Sequence, residues 1–209
     1  MNEKSQAKLH EYHFFALMSR LKYIERWALM RNAHPENLAE HSLEVAMIAH
    51  VLCMLANVRH GHSLNAERAA LLGMYHDASE IITGDMPTPV KYFDADIRAS
   101  YAKVEHAAQD RLLATLPEDL QAAYAGALCE GDETMDEDER YLRRLVKAAD
   151  KISALIKCVD EEHAGNAEFY TAAQSTRAAI DEMAAQMPEV ADFMAEFLPS
   201  YGRTLDELL

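Results

Sequence analysis

Apolar residues recur at helical spacing along most of this chain, and the pattern leaves little room for strands. The 209 residues include only 7 Gly and 6 Pro, and runs of alternating β-branched residues are scarce. The longest apolar run, 45–58, contains His50 and Asn57 and is too short to span a bilayer, so we interpret it as part of a core helix. The sequence therefore predicts an all-α fold, and the length fits one domain over residues 1–209.

Capping residues and helix breakers divide the chain into a series of predicted helices. Asn65 and Asp94 are predicted N-caps, Pro117 ends one helix, and Gly165 ends a longer one. The acidic run 131–140 is interpreted as a solvated loop that leads into a helix. The predicted helices are, in order, 11–23, 35–57, 66–83, 94–116, 118–128, 139–163, 167–186 and 189–197.

Charge and cysteine content limit the compartment and the partners of the chain. Acidic residues outnumber basic ones by 35 to 20, and a net charge of −15 disfavours polymeric nucleic acid and anionic membranes as partners. The 3 cysteines fit neither a disulfide framework nor a zinc ribbon, and the N-terminus lacks the apolar stretch of a signal peptide. We therefore expect a cytoplasmic protein.

Three predicted helices carry ionisable side chains within their apolar stripes. On helix 66–83, His76, Asp77 and Glu80 share the face of small and apolar residues. His41 lies in the stripe of Leu38, Val45, Ile48, Leu52 and Leu55. Asp150 lies in the stripe of Leu142, Val146, Ala149, Ser153 and Ile156. Because burial of unpartnered ionisable groups is costly, a bound cation would explain this arrangement.

The combined set of two imidazoles and two carboxylates suits one divalent metal of the Co, Mn, Zn, Ni or Fe type. Such a set leaves coordination positions open for water and substrate. Taken singly, an inward histidine is more often a hydrogen-bonded core residue, and an inward aspartate more often caps a helix or pairs with arginine. Their joint occurrence on three helices favours a metal site.

The order of His41, His76-Asp77 and Asp150 resembles that of the HD-domain metal-dependent phosphohydrolases, an all-helical superfamily. The resemblance is closest to the bacterial HD-domain 5′-deoxynucleotidases and covers about residues 13–207. Its specific parts are the segments HDASE and TGDMPTPVK, and it is weakest between about 94 and 140. The resemblance implies an HD-domain helical bundle, and it implies that the protein forms a homodimer.

The resemblance also implies roles for the ionisable residues. His41, His76, Asp77 and Asp150 would bind the metal, and His76 and Asp150 would also contact the substrate. Glu80 would be the catalytic carboxylate that takes or orients a water proton, and Asp77 would take part in catalysis. Without the resemblance, Glu80 could equally be a helix-pairing residue or a support for a metal ligand.

The remaining implied residues bind the substrate. Arg26 and Trp27 match the phosphate-side pair of the family, and the resemblance also implies a catalytic role for Trp27. The pair is physically suitable, since a guanidinium fork fits phosphate and an indole can donate a hydrogen bond or pack. Without the resemblance, Arg26 would be interpreted as a surface helix residue and Trp27 as a core or interface anchor. A stiff loop would bind the nucleoside, and it consists of Asp85, Met86, Pro87 and Thr88. The alternative for this loop is a ligand-free turn.

The activity implied by the resemblance is hydrolysis of deoxynucleoside 5′-monophosphates to deoxynucleoside and phosphate. One alternative is another HD-domain phosphohydrolase that acts on nucleoside triphosphates or on a guanosine polyphosphate alarmone. Those substrates would require more basic residues near the metal than this sequence offers. The second alternative is a non-enzymatic helical binding module with a structural metal.

Overall fold

A computed structural model describes residues 11–91, 93–129 and 135–209, and over these residues it confirms the all-α prediction. The described residues contain no strand, and their one isolated bridge pairs Glu25 with Asn37. The helices are α1 Phe14–Met18, α2 Leu38–His60, α3 Ala66–Tyr75, α4 Glu80–Thr83, α5 Thr88–Lys91, α6 Ala95–Leu113, α7 Glu118–Leu128, α8 Glu137–His163, α9 Tyr170–Ala184, α10 Pro188–Glu196 and α11 Leu205–Leu208. Short 3-10 turns cover Leu21–Tyr23, Ala167–Phe169 and Leu198–Ser200.

Helix α2 begins at a capping box that the sequence did not single out. The Asn37 side chain accepts hydrogen bonds from the backbone N–H groups of Ala39 and Glu40, both at 3.1 Å. The Glu40 carboxylate accepts one in return from the Asn37 N–H at 3.3 Å. This cap starts the helix at Leu38 rather than at the predicted position 35, and Gly61, with φ of 75°, ends it after His60.

The prediction of one helix over 66–83 is wrong in its middle. The helix ends at Tyr75, a turn covers 76–79, and α4 begins at Glu80. Hydrogen bonds of the tighter i→i−3 kind replace the α-helical ones, from Ala78 N–H to Tyr75 O and from Glu80 N–H to Asp77 O, both at 3.0 Å. The turn places His76 and Asp77 outside regular helix, where their side chains reach the neighbouring helices.

Other predicted boundaries differ at the ends of elements. The predicted helix 118–128 is confirmed without change, and the Asp94 cap is confirmed by its bond from Ile97 N–H at 2.7 Å. The predicted helix 11–23 contains only α1 and a 3-10 turn, and the predicted helix 167–186 begins with another 3-10 turn. In the acidic run, residues 131–134 lie outside the described part, and α8 already begins at Glu137.

Helices α2, α3 and α8 enclose the main core, and α9 and α10 cover it. Its fully buried members include Leu52, Leu145, Ile152 and Leu155. Helix α2 is long and apolar enough to span a membrane, but 56% of its most apolar part is buried inside the protein. This confirms the interpretation of the run 45–58 as part of a core helix.

Candidate metal centre and active site

Three of the four predicted ligands converge where α2, α8 and the 76–79 turn meet. One ligand atom each from His41, His76 and Asp150 lies within 4.8 Å of the others. Asp77 joins them, because its Oδ2 is 3.0 Å from His76 Nε2 and 3.7 Å from His41 Nε2. The structure therefore brings together all four residues that the sequence proposed as metal ligands.

The His41 ring is fully buried and is oriented by Ser153 and Glu44. His41 Nδ1 lies 3.0 Å from Ser153 Oγ, which donates a hydrogen bond to Glu44 Oε2 at 2.6 Å, and it lies 2.9 Å from Arg26 Nη1. These contacts at Nδ1 orient the ring so that Nε2 faces His76 and the two aspartates. Burial, together with the charge of Arg26, lowers the pKa of His41 and favours the neutral imidazole that binds metals.

The His76 ring is oriented in the same way by its own helix. Its Nδ1 donates to the Gly73 carbonyl at 2.7 Å, so Nε2 is the ring nitrogen that faces the aspartates. Burial lowers the pKa of His76, but Asp77 and Asp150 raise it more strongly, to about 9. The surroundings of His76 therefore attract positive charge.

The two aspartates give the centre its negative charge. Burial raises the pKa of each, but His76 at Asp77 and His41 at Asp150 outweigh it, so both pKa values lie below the usual range. Both Nε2 atoms are buried, and among the described residues they lie 3.3 Å from Asp150 Oδ1 (His41) and 3.0 Å from Asp77 Oδ2 (His76) without the geometry of a hydrogen bond. Two orphaned imidazole nitrogens beside two carboxylates fit a divalent cation.

Arg26 lies at the edge of this cluster. Its Nη1 donates to Glu36 Oε2 at 2.7 Å and lies 2.9 Å from His41 Nδ1, while its Nη2 is 3.9 Å from Asp150 Oδ1. Burial lowers the pKa of Arg26, but Glu36 and Asp150 raise it above the ordinary value. The guanidinium therefore stays charged next to the metal ligands, where a phosphate bound to the metal would meet it.

Trp27 is the one non-glycine residue with a positive φ, 59°, among the residues that the structure describes. Its indole Nε1 donates to Glu36 Oε2 at 3.2 Å, and its ring packs on Phe169 with centroids 5.2 Å apart. The Trp27 carbonyl accepts from Asn32 Nδ2 at 3.2 Å. Since the indole N–H is already hydrogen-bonded to Glu36, this geometry favours packing as the role of the Trp27 ring.

Glu80 is buried beside the ligands and has few compensating contacts. It is 8% exposed, and its Oε2 has no hydrogen-bond partner within the described part of the chain. Burial, followed by the charges of Asp77 and Asp85, raises the pKa of Glu80 to about 9. A buried carboxyl group with a strongly raised pKa at the edge of a metal cluster is typical of a proton-transfer group.

The predicted nucleoside loop begins next to Arg26 and Trp27. Burial raises the pKa of the Asp85 carboxyl, which accepts a hydrogen bond from the Trp27 backbone N–H. Met86 and Pro87 are half-buried, and the Pro87 carbonyl starts α5 by accepting from Val90 N–H at 2.8 Å. Thr88 begins that helix, and its side chain lies outside the described part of the structure.

Sequence reasoning missed the residues that hold the site residues in place. Glu36 lies just before α2 and bears no helical spacing relation to Arg26 and Trp27, the residues that it contacts. Ser153 was recognised only as a small residue in the stripe of Asp150. A search for polar residues one helical turn from each proposed ligand would have found Glu44 and Ser153, three residues after His41 and Asp150, but not Glu36.

The helical fold and the His, His-Asp and Asp centre define the class of this protein: it is an HD-domain metal-dependent phosphohydrolase. The family model described as "5′-deoxynucleotidase YfbR-like" matches residues 13–201. The chain therefore belongs to the YfbR-like 5′-deoxynucleotidase family. This assignment confirms the predicted family, the predicted enzyme class and the main functional interpretation.

Relatives with this family name match the chain over nearly its full length. A 5′-deoxynucleotidase from Erwinia tasmaniensis is 47% identical and covers 94% of this chain and 96% of its own. The 5′-deoxynucleotidase YfbR of Escherichia coli O1:K1 is also 47% identical and covers 96% and 97%.

Solved structures support the fold. An HD-domain phosphohydrolase from Listeria innocua is similar with a TM-score of 0.77 at 27% identity, covering 90% of this chain and 88% of that one. A cyanophage S-2L HD phosphohydrolase, solved with dA and one catalytic Zn2+ ion, has a TM-score of 0.56 at 21% identity and covers 90% and 96%. The second similarity shows the shared fold.

Proposed function

We propose that this protein hydrolyses deoxynucleoside 5′-monophosphates to the deoxynucleoside and inorganic phosphate, with one divalent metal held by His41, His76, Asp77 and Asp150. The observation that carries the proposal is the pair of buried, unpartnered imidazole nitrogens that face two carboxylates, with Arg26 at their edge. The relatives named above as 5′-deoxynucleotidases support the substrate. Zinc in the phage phosphohydrolase supports the metal class but does not select among Co, Mn, Zn, Ni and Fe.

In the proposed reaction, a divalent metal supplies Lewis-acid stabilisation of the phosphate and acidifies water. Arg26 binds the phosphate oxygens through the part of its fork that Glu36 leaves available, and it stabilises charge as the P–O5′ bond breaks. Glu80 receives the proton of the attacking water at Oε2 as the new P–O bond forms, because a neighbouring cation would favour its carboxylate form. The departing O5′ takes up a proton from solvent, which yields the free deoxynucleoside. Trp27, whose ring packs on Phe169 and whose indole N–H is bound by Glu36, is proposed to hold the Arg26 loop beside the substrate.

The loop Asp85, Met86, Pro87 and Thr88 is proposed to bind the nucleoside. Asp85 supports this role, because it is tied to the backbone of Trp27 and so holds the loop next to the phosphate-binding pair. A ribose 2′-OH would be refused here by shape or by an unpaired acceptor.

A substrate panel tests the proposal against its alternatives. The metal-loaded protein is offered deoxynucleoside and ribonucleoside 5′-monophosphates, deoxynucleoside 3′-monophosphates, a deoxynucleoside triphosphate and a guanosine polyphosphate. We expect phosphate release from the deoxy 5′-monophosphates. Release mainly from the triphosphate or polyphosphate would reject the nucleotidase assignment, and metal binding without release from any ester would favour the structural-metal module.

We also propose that the protein forms a homodimer through the outer face of α2. Leu43, Met47, Met54 and Val58 lie on one face of this helix and are 42 to 75% exposed in the single chain. Sedimentation of the wild type and of Met47→Lys tests this, since the charge should shift the protein towards the monomer. A wild-type monomer at micromolar concentration would reject it.

The proposal extends to the surroundings of the enzyme and to its domain structure. We propose a single domain over residues 1–209 in the cytoplasm, without nucleic acid polymers or membranes as partners. The three free cysteines, of which Cys53 and Cys158 are buried, support a reducing compartment. The net charge of −15 supports the exclusion of polyanionic partners.

A further inference from the structure

One carboxylate oxygen contacts both residues of the proposed phosphate-side pair. Glu36 Oε2 accepts a hydrogen bond from Arg26 Nη1 at 2.7 Å and another from Trp27 Nε1 at 3.2 Å. The side chains of Arg26 and Glu36 are only 12% and 13% exposed, so the ion pair is shielded from bulk water. Within the described part of the chain, Glu36 makes no hydrogen bond to a proposed metal ligand.

We propose that Glu36 is a positioning residue that holds Arg26 and Trp27 in the geometry for phosphate binding. This inference rests on the proposed function, which gives Arg26 its role. Glu36 occupies Nη1 and leaves Nη2, 3.9 Å from Asp150 Oδ1, on the side of the metal ligands. The fork of Arg26 is thereby fixed with one edge on the protein and the other edge towards the substrate.

The backbone places Glu36 opposite Arg26 before any side chain is considered. Arg26 N–H donates to the Glu36 carbonyl at 3.0 Å, and Leu38 N–H donates to the Ile24 carbonyl at 2.9 Å. These bonds flank the antiparallel bridge between Glu25 and Asn37. Because the two segments are paired, Glu36 has a fixed position from which to orient the guanidinium.

Glu36 also stabilises a strained backbone conformation at Trp27, in the same loop. Trp27 has a φ of 59°, a conformation that costs a non-glycine residue free energy and persists only where surrounding contacts enforce it. Glu36 holds the indole N–H, Phe169 packs on the ring, and Asn32 binds the carbonyl. Removal of Glu36 releases the hydrogen bond of the Trp27 indole N–H and allows the loop to relax.

The test compares Glu36→Gln with Glu168→Gln as a matched control. Glu168 also accepts hydrogen bonds from an arginine of this loop, Arg31, at 2.5 and 3.0 Å, but on the exposed side of the molecule. We expect Glu36→Gln to lower kcat/KM for a deoxynucleoside 5′-monophosphate by roughly ten- to a hundredfold at unchanged metal content. Glu168→Gln should retain the wild-type value.

Trp27 provides a readout that is independent of activity, since it is the only tryptophan in the sequence. Glu36→Gln should shift the tryptophan emission to longer wavelength and increase its quenching by acrylamide, whereas Glu168→Gln should leave both unchanged. Glu36→Gln preserves side-chain volume, and urea unfolding identifies any general loss of fold. Wild-type kcat/KM together with wild-type emission would overturn the inference.

A double-mutant cycle with Arg26→Ala asks whether Glu36 acts through Arg26. If it does, Glu36→Gln should cost less than about threefold in the Arg26→Ala background, because the group that it positions is gone. The same loss in both backgrounds would overturn the inference. If the wild type itself releases no phosphate from deoxynucleotides, the proposed function fails, while the emission measurements still decide whether Glu36 holds Trp27.

Discussion

At Gly73, α3 packs directly against the backbone of α2, and Gly73→Ala should damage the metal centre from a distance. A Cβ atom at position 73 would lie 2.8 Å from Ala46 Cα, 3.0 Å from Ala46 N and 3.1 Å from Val45 O. All three atoms belong to the backbone of α2 and cannot rotate away. The Gly73 carbonyl also accepts the hydrogen bond that orients His76.

The size of the effect follows from these distances. Ordinary contact with a Cβ begins at 3.4 Å, so relief of the 2.8 Å contact requires a separation of at least 0.6 Å between the helices. Metal–ligand distances tolerate only about 0.2 Å, and a misplacement of 1 Å costs about a hundredfold in rate. Overpacking costs about 1–3 kcal/mol of stability, and the higher helix propensity of alanine offsets roughly 1 kcal/mol of this.

The assay measures metal affinity by chelator competition, kcat/KM by phosphate release, and the free energy of unfolding in urea. We expect Gly73→Ala to weaken metal binding and to lower kcat/KM at least tenfold. The matched control is Gly126→Ala in α7, whose added Cβ would meet only the end of the flexible Arg68 side chain at 3.2 Å. The control should retain activity. Wild-type metal affinity and turnover in Gly73→Ala would refute the reasoning.

Three further predictions concern buried polar groups. Hydrogen bonds to the buried Glu161, the first from Lys157, lower its pKa from 4.5 to about 2 although burial opposes this. The ionised Glu161 carboxylate therefore contributes on the order of 3 kcal/mol to the free energy of unfolding above pH 5, and this contribution is lost as the pH falls towards 2. In Glu161→Gln, the free energy of unfolding in urea should consequently fall less steeply at acid pH. Ser153→Ala should weaken metal binding about tenfold in chelator competition, because the His41 ring loses a hydrogen-bond partner at Nδ1, and unchanged affinity would count against a role of Ser153 in orienting that ring. Glu80→Gln should lower kcat about a hundredfold or more while the bound metal, measured by elemental analysis, is retained; parallel loss of metal would make Glu80 a support of the ligands.

The sequence predicted most of the helices, and the residues that it proposed as metal ligands lie close together in the structure, for identifiable reasons. The stripe of α2 and the caps at Asn65 and Asp94 depend on local spacing, which one sequence displays directly. His41 and Asp150 were conspicuous because they interrupt apolar stripes. Whether each points inwards depends on its own helix alone, so no knowledge of the tertiary arrangement was needed.

What the sequence could not predict depends on contacts between distant segments. The break after Tyr75 was missed because the apolar spacing continues through it, while the tight turn is stabilised by bonds of His76 and Asp77 to their neighbours. Glu36 contacts Arg26 across a backbone pairing of ten residues' separation. The positive φ of Trp27 likewise has no sequence signal, since a tryptophan is not a residue that favours this conformation.

The central claim is that one divalent metal, held by the four ligands, enables hydrolysis of deoxynucleoside 5′-monophosphates. The most direct measurement titrates metal-stripped protein with Mn, Co or Zn and follows bound metal and phosphate release in the same samples, for the wild type and for Asp150→Ala. The account predicts that release from a deoxynucleoside 5′-monophosphate rises with binding and reaches its maximum at one metal per chain, and that Asp150→Ala loses both. Full release without added metal, or unchanged binding and release in Asp150→Ala, would contradict it.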